Sequence, residues 1–159
     1  MDAQQYGDRF QDHLLSQYKL YVEMADRVSQ RRDWANRFYG GVLSGLAAVL
    51  AVIIRGTVFD SVQAVVFLVA ASVGAALCLV WFVNIRSYRQ LNTGKFQVIH
   101  EMEQQLPMAI YEREWELLRP SEGQKRYLQL TWVEQFVPGI IATPFLILTG
   151  YTLYQWIYG

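Results

Sequence analysis

Two histidines, His13 and His100, are the first candidates for chemistry, and His100 opens the run His100-Glu101-Met102-Glu103. Imidazole and carboxylate groups at close spacing could hold a metal ion or move a proton. Neighbouring residues on a helix point about 100° apart, however, so His100 and Glu101 do not easily converge on one ion. A zinc site also needs three or four ligands. We therefore expect solvated helix residues here, and no catalytic, metal-binding or cofactor-binding residues.

The remaining routes to catalysis are also weak. The 159 residues include one cysteine, Cys78, so a disulfide framework is excluded, and no glycine-rich phosphate-binding loop is present. The 14 basic and 14 acidic residues sum to a net charge of zero. A nucleic-acid-binding protein normally carries a basic excess. The sequence therefore predicts neither an enzyme nor a nucleic-acid partner.

Three long uncharged segments define the architecture. Residues 38–54, 62–83 and 137–158 contain no Asp, Glu, Lys or Arg. At 1.5 Å per residue these helices would span about 26, 33 and 33 Å, close to the roughly 30 Å hydrocarbon core of a bilayer. They predict three transmembrane helices in an all-α membrane protein. Because no ionisable residue lies inside them, an ion-coupled transporter is disfavoured.

The basic residues predict the orientation of these spans. Six Lys or Arg residues lie in 1–37, seven in 84–136, and one in the short connector 55–61. The positive-inside rule places the first two regions in the cytosol, with the connector and the C-terminus outside. The residues assigned to this topology, or to contacts with lipid headgroups, are Arg31, Arg32, Arg37, Arg86 and Arg89.

The two cytosolic regions have the apolar spacing of amphipathic helices. In residues 1–37, Glu23–Arg27 and Asp33–Arg37 are placed for ion pairs four residues apart, and no proline interrupts the approach to the first span. We expect one long helix there. The apolar stripes predicted to pack within the chain or between chains comprise Tyr18, Tyr21, Val28, Tyr88, Leu91, Val98 and Met102. A ligand groove or a cytosolic protein partner is the alternative for this surface.

Small residues recur at four-residue spacing inside the spans. Gly41 and Gly45 form a GxxxG motif extended by Ala48, and Ala70 and Gly74 repeat the spacing in the second span. Lipid gives no hydrophobic drive between helices, so their association depends on close backbone approach, which small residues permit. These residues predict helix packing, either between the first two spans of one chain or between subunits.

A family resemblance rests on residues in the two cytosolic regions and near the third span. They are the run Tyr18-Lys19-Leu20-Tyr21-Val22-Glu23-Met24-Ala25-Asp26-Arg27, then Arg31 and Asn36, Ile85-Arg86-Ser87-Tyr88-Arg89, Asn92, Lys95-Phe96, Ile99-His100-Glu101, Leu106-Pro107, Glu114-Trp115, Thr131, Glu134 and Val137-Pro138. In these positions the chain resembles the RipA-like family of small bacterial octameric inner-membrane proteins. The resemblance implies a homo-oligomer of eight subunits in the bacterial inner membrane, without known catalytic chemistry.

The functional expectation follows from both lines of reasoning. We expect a non-enzymatic inner-membrane protein that assembles through its cytosolic helices and small-residue membrane faces. The resemblance implies a role in envelope organisation or in adaptation to stress or a host. The alternative is a channel-forming or membrane-disrupting effector triggered by a cytosolic partner or ligand. Overexpression distinguishes the two, because only an effector should depolarise the membrane.

Overall fold

The structure is a computed structural model that describes residues 6–55, 63–118 and 130–158. It contains four helices, and the described residues include no strand. We number the helices α1 (Phe10–Arg55), α2 (Gln63–Glu103), α3 (Ile110–Leu118) and α4 (Leu130–Tyr158). The predicted all-α fold is confirmed.

Helix α1 is one continuous element of 46 residues. It contains no proline, and the exposed pairs Arg27–Glu23 and Arg37–Asp33 bridge successive turns at 2.7 and 2.8 Å. The predicted long helix and both predicted ion pairs are confirmed. The two glycines Gly40-Gly41 do not end the helix, although each glycine in a helix interior costs about 1 kcal/mol relative to alanine.

Three helices are long and apolar enough to cross a membrane. The most apolar 18-residue windows of α1, α2 and α4 have mean hydropathies of 1.9, 2.5 and 1.6. Only 11%, 22% and 17% of the residues in these windows are buried within the chain. Most of the apolar surface is therefore left for lipid or for other chains. The predicted connector 55–61 lies outside the described residues, apart from the helix end at Arg55.

The chain divides into two compact units, which we describe separately. The polar unit contains residues 1–31 and 88–129, and the apolar unit contains residues 32–87 and 130–159. Helices α1 and α2 contribute to both units, whereas α3 belongs to the polar unit and α4 to the apolar unit.

The core of the apolar unit consists of alkyl and aromatic side chains. Its buried members are Leu43, Leu50, Cys78, Trp81, Ile85 and Phe145. The Trp81 ring stacks on Tyr39 with centroids 6.0 Å apart, and its Nε1–H donates a hydrogen bond to Asn36 Oδ1 at 2.8 Å. This bond satisfies the indole donor, which a buried tryptophan otherwise leaves unpaired.

The core of the polar unit contains residues of α1 that belong to the predicted stripe and residues of α2 that do not. Leu14, Ala25 and Val28 of α1 are buried, and Tyr18 and Tyr21 are partly buried. The structure thus places Tyr18, Tyr21 and Val28, three residues of the predicted stripe, on the side of α1 that faces the interior of the polar unit. On α2, Tyr88 and Met102 are partly buried, whereas Leu91 and Val98 are 48% and 36% exposed.

The buried positions of α2 in the polar unit are Lys95, Ile99 and Glu103. They recur at four-residue spacing on a face turned by roughly 60° around α2 from the mean direction of the predicted stripe. Two ionisable residues, Lys95 and Glu103, therefore occupy the face turned into the core. The predicted stripe of α2 differs from the buried face because the prediction used apolar residues only and treated lysine and glutamate as surface residues. Leu91 and Val98 remain available for contacts between chains.

Candidate functional site

A buried carboxylate lies at the centre of the polar unit. Glu103, the last residue of α2, is only 1% exposed. Its Oε1 accepts a hydrogen bond from the Tyr18 hydroxyl at 2.9 Å and another from the Tyr111 backbone N–H at 3.0 Å. One carboxylate oxygen therefore joins α1, α2 and the start of α3.

This position corrects the expectation that Glu103 belongs to a solvated face. Helix α3 begins at Ile110, and its first backbone N–H groups have no partner within the helix. The preceding residues, Met108 and Ala109, carry no side-chain oxygen that could cap them. The Glu103 carboxylate supplies this cap from seven residues before the helix. The sequence signal that could have identified this role is the lack of a capping residue directly before α3, which requires a cap from elsewhere in the chain.

His100 lies beside this carboxylate without completing a metal site. Its Nδ1 is 3.7 Å from Glu103 Oε2, a buried oxygen that has no hydrogen-bond partner among the described residues. The contact becomes an ion pair when the imidazole is protonated. Glu101 is exposed, as expected. Among the described residues, no group of three or more His, Cys, Asp or Glu side chains is placed to hold a metal ion.

The two tyrosines at this site are held in the neutral form. Burial raises the pKa of Tyr18, and the hydrogen bond to the Glu103 carboxylate raises it further. Burial also raises the pKa of Tyr111, with further increases from the charges of Glu114, Glu103 and Asp26. Both phenols therefore stay protonated at neutral pH, and the Tyr18 hydroxyl acts as a donor to Glu103.

An open groove of about 510 Å³ lies beside these tyrosines. Helix α1 forms one wall, and Phe96 and Tyr111 form the other, with ring centroids 5.6 Å apart in an edge-to-face arrangement. Asp26 lies on the α1 wall, where its Oδ2 accepts a hydrogen bond from the Gln30 side chain at 2.9 Å. The lining residues are Tyr18, Lys19, Val22, Glu23, Ala25, Asp26, Ser29, Phe96 and Tyr111. The groove thus combines aromatic walls with carboxylates.

A buried lysine completes the interior of the polar unit. The Lys95 Nζ lies 4.7 Å from the centroid of the Tyr21 ring, a distance typical of a cation–π contact. Neither Lys95 nor Glu103 was predicted as a packing residue, whereas their partners Tyr21 and Tyr18 were. Tyr18 and Tyr21 could be assigned to a packing stripe because their spacing places them on one face of a helix.

The structure separates the small residues into two groups. A Cβ atom built on Gly74 would lie 2.5 Å from the Phe145 ring, so α2 and α4 make close contact there. Ala70 is partly buried on the same side. By contrast, apart from the backbone of α1 itself, no atom of the described residues lies within 4 Å of such a Cβ position at Gly41 or Gly45. The next residue of that motif, Ala48, is exposed.

The arginines assigned to headgroups lie in different surroundings. Arg31, Arg37 and Arg86 are exposed, and Arg89 is partly buried. The Arg32 Nε instead lies 3.7 Å from Glu134 Oε2, and both side chains are largely shielded from solvent. Arg32 therefore bridges α1 and α4 within the apolar unit.

The helical content and the three apolar helices define the class: an all-α membrane protein with three candidate spans. The model of the Octameric membrane protein family (8xMP) matches residues 15–154. The chain belongs to this family. No curated protein and no solved structure gave a significant match to the chain.

Proposed function

We propose that this chain is a non-enzymatic protein of the bacterial inner membrane that assembles as a homo-octamer. Residues 1–37 and 84–136 lie in the cytosol, and the C-terminus lies outside. The family description supports the subunit number. The asymmetry of basic residues supports the orientation.

The exposed GxxxG motif is the observation that carries this proposal. At 100° per residue, Gly41, Gly45 and Ala48 lie on the face of α1 opposite Leu43 and Leu50, which pack into the core. The motif leaves open space where a second helix backbone can approach. Such close approach is how small residues drive association in lipid. Because no other described part of the chain packs against the motif, we assign it to contacts between subunits.

The assembly is tested by measuring the mass of the purified protein with light scattering, after correction for bound detergent. We expect eight copies of the 18.4 kDa chain. Gly45→Leu should lower the subunit number, because a large side chain separates the backbones. Ala47→Leu, an exposed change on a different face of α1, is the matched control and should leave the mass unchanged. A monomer at micromolar concentration would refute the proposal.

The orientation is tested with a reporter fused to the C-terminus that is active only outside the cytosol. An odd number of spans with a cytosolic N-terminus predicts an active reporter. Activity of the complementary, cytosol-dependent reporter would refute the proposed orientation, because the C-terminus would then lie in the cytosol.

The physiological role proposed is envelope organisation or adaptation to stress or a host, as the RipA-like resemblance implies. Deleting the gene should then reduce growth under envelope stress, and overexpressing the protein should leave the membrane potential intact. Depolarisation on overexpression would instead support the effector. The non-enzymatic assignment predicts that the double variant His100→Ala, Glu101→Ala complements the deletion.

A further inference from the structure

The polar unit exposes two different surfaces on opposite sides of α1. The groove lies on one side, where α1 contributes Val22, Asp26 and Ser29. The other side carries an exposed stripe, in which Leu20 and Met24 are 60% and 42% exposed. The residues of this stripe, spaced by four, three and four, are Leu20, Met24, Arg27 and Arg31, and all are exposed. At 100° per residue the two sets point in roughly opposite directions.

We propose that these surfaces are the two halves of one subunit contact, in which the stripe of one copy lies in the groove of the next. The proposal rests on the proposed homo-octamer. Copies inserted in a membrane with the same orientation are related by rotation about the membrane normal. A ring of more than two such copies needs two different, complementary surfaces on each chain.

The positions of the two surfaces along α1 fit such a rotation. A rotation about the ring axis keeps each residue at its own height, so surfaces that meet must lie at the same level. The α1 residues of the groove extend from Tyr18 to Ser29, and the stripe extends from Leu20 to Arg31. Each covers about 16 Å of helix at 1.5 Å per residue, over almost the same levels.

The chemistry of the two surfaces is also complementary. Leu20 and Met24 provide the flexible apolar side chains that suit walls made of Phe96 and Tyr111. Arg31 provides a cation, and no carboxylate of the described residues lies within ion-pair distance of it. Asp26 provides a carboxylate whose one hydrogen bond among the described residues comes from the neutral Gln30 amide. Asp26 lies five residues before Arg31, about 7.5 Å along α1, an offset that the long arginine side chain of the neighbouring copy spans.

Cross-linking tests which surfaces meet. The native cysteine is first removed as Cys78→Ala, and the pair Val22→Cys and Met24→Cys then places one thiol on each surface. These two thiols point away from each other within one helix, so they link only different chains. We expect oxidation in membranes to produce a ladder of linked chains with up to eight rungs on a denaturing gel.

Matched variants separate this contact from others. The pair Leu20→Cys and Met24→Cys places both thiols on the stripe and should give no ladder. Dimers from Met24→Cys alone would show a contact between two stripes and would overturn the proposal. In the intact assembly, Val22→Cys should react with a water-soluble maleimide more slowly than the same variant does as a monomer. Labelling of Val22→Cys at the monomer rate would show a groove that is open to some other ligand, and would also overturn it.

A charge exchange provides an independent measurement. Asp26→Arg and Arg31→Asp should each weaken assembly roughly two- to fivefold, the range that corresponds to an exposed ion pair. The two changes combined in one chain should restore it. An octamer that forms no ladder and shows no such restoration would refute this contact while leaving the octamer itself established. A monomeric wild-type protein would instead refute the proposed function.

Discussion

The polar and apolar units are built from the same two long helices, yet their interiors are stabilised differently. The apolar unit buries alkyl and aromatic groups, with Phe145 of α4 packed closely against Gly74 of α2. The polar unit buries a glutamate and a lysine, and one oxygen of Glu103 links three helices. Close backbone contact organises the first interior, and directed hydrogen bonds organise the second.

This difference follows from the number of partners that each interior requires. In the apolar unit, hydroxyl groups of α4 are satisfied locally: Thr149 and Thr152 donate to backbone carbonyls four residues earlier, each at 2.8 Å. Few polar groups then remain to specify how the helices pack, so their packing depends on the complementary shapes of the side chains. In the polar unit, the short helix α3 has no buried residue, and the Glu103 hydrogen bond attaches its first turn.

Removing the central carboxylate tests this contrast most strongly. Glu103→Ala leaves the Tyr18 hydroxyl and the Tyr111 N–H without their acceptor, so we expect a loss of about 3–5 kcal/mol, the sum of two hydrogen bonds to a charged group. The measurement is the unfolding free energy in detergent, together with protease cleavage within residues 88–118. Glu101→Ala, an exposed neighbour, is the control. A loss below about 1 kcal/mol would mean that Glu103 does not organise the unit.

Filling the close contact in the apolar unit should have the next largest effect. Gly74→Ala places a methyl group against the Phe145 ring, which is buried and cannot move freely. We expect a loss of about 1–3 kcal/mol in the unfolding free energy. Gly45→Ala adds the same methyl group where, apart from the backbone of α1, none of the described residues has an atom within 4 Å, and it should not lower the stability of the single chain. Equal effects of the two changes would remove the distinction between the two glycine sites.

The polar contact inside the apolar unit should matter less. Trp81→Phe removes the indole donor and leaves Asn36 Oδ1 without its partner, so we expect a loss of about 1–2 kcal/mol. Trp34→Phe is the matched control, because Trp34 is exposed in the same unit. The test is thermal unfolding followed by circular dichroism. Equal unfolding temperatures for Trp81→Phe and Trp34→Phe would mean that the hydrogen bond to Asn36 adds nothing to the stability that ring packing provides.

The smallest effect should appear at high pH in the polar unit. The pKa of Tyr18 is raised above its ordinary value of about 10 by burial and by Glu103. A pKa that is higher in the folded than in the unfolded chain gives a stability contribution that is complete below about pH 10 and declines above it. Chemical unfolding at about pH 9 and pH 11 should therefore show a smaller decline for Tyr18→Phe than for the wild type. Parallel declines would contradict the environment assigned to this phenol.

Much of the fold could be predicted because its signals are long and repetitive. Uncharged stretches of span length indicate membrane helices whatever their neighbours are. Tyr18, Tyr21 and Val28 could be assigned to one face of α1 because they recur at helical spacing. The ion pairs Glu23–Arg27 and Asp33–Arg37 were predicted because four residues of helix bring them together without any tertiary contact.

Only the tertiary structure decided which ionisable groups are buried and which small residues are exposed. Glu103 is held in the interior by donors from two other helices, the Tyr18 hydroxyl of α1 and the Tyr111 backbone N–H in the first turn of α3. Gly74 and Gly45 have the same spacing to their neighbouring small residues. Phe145 packs against Gly74, whereas no other helix in the described part of the chain packs against Gly45. A single sequence reports the residue type and its spacing. It does not identify the residue that packs against a given position, because that residue belongs to a helix distant in the sequence.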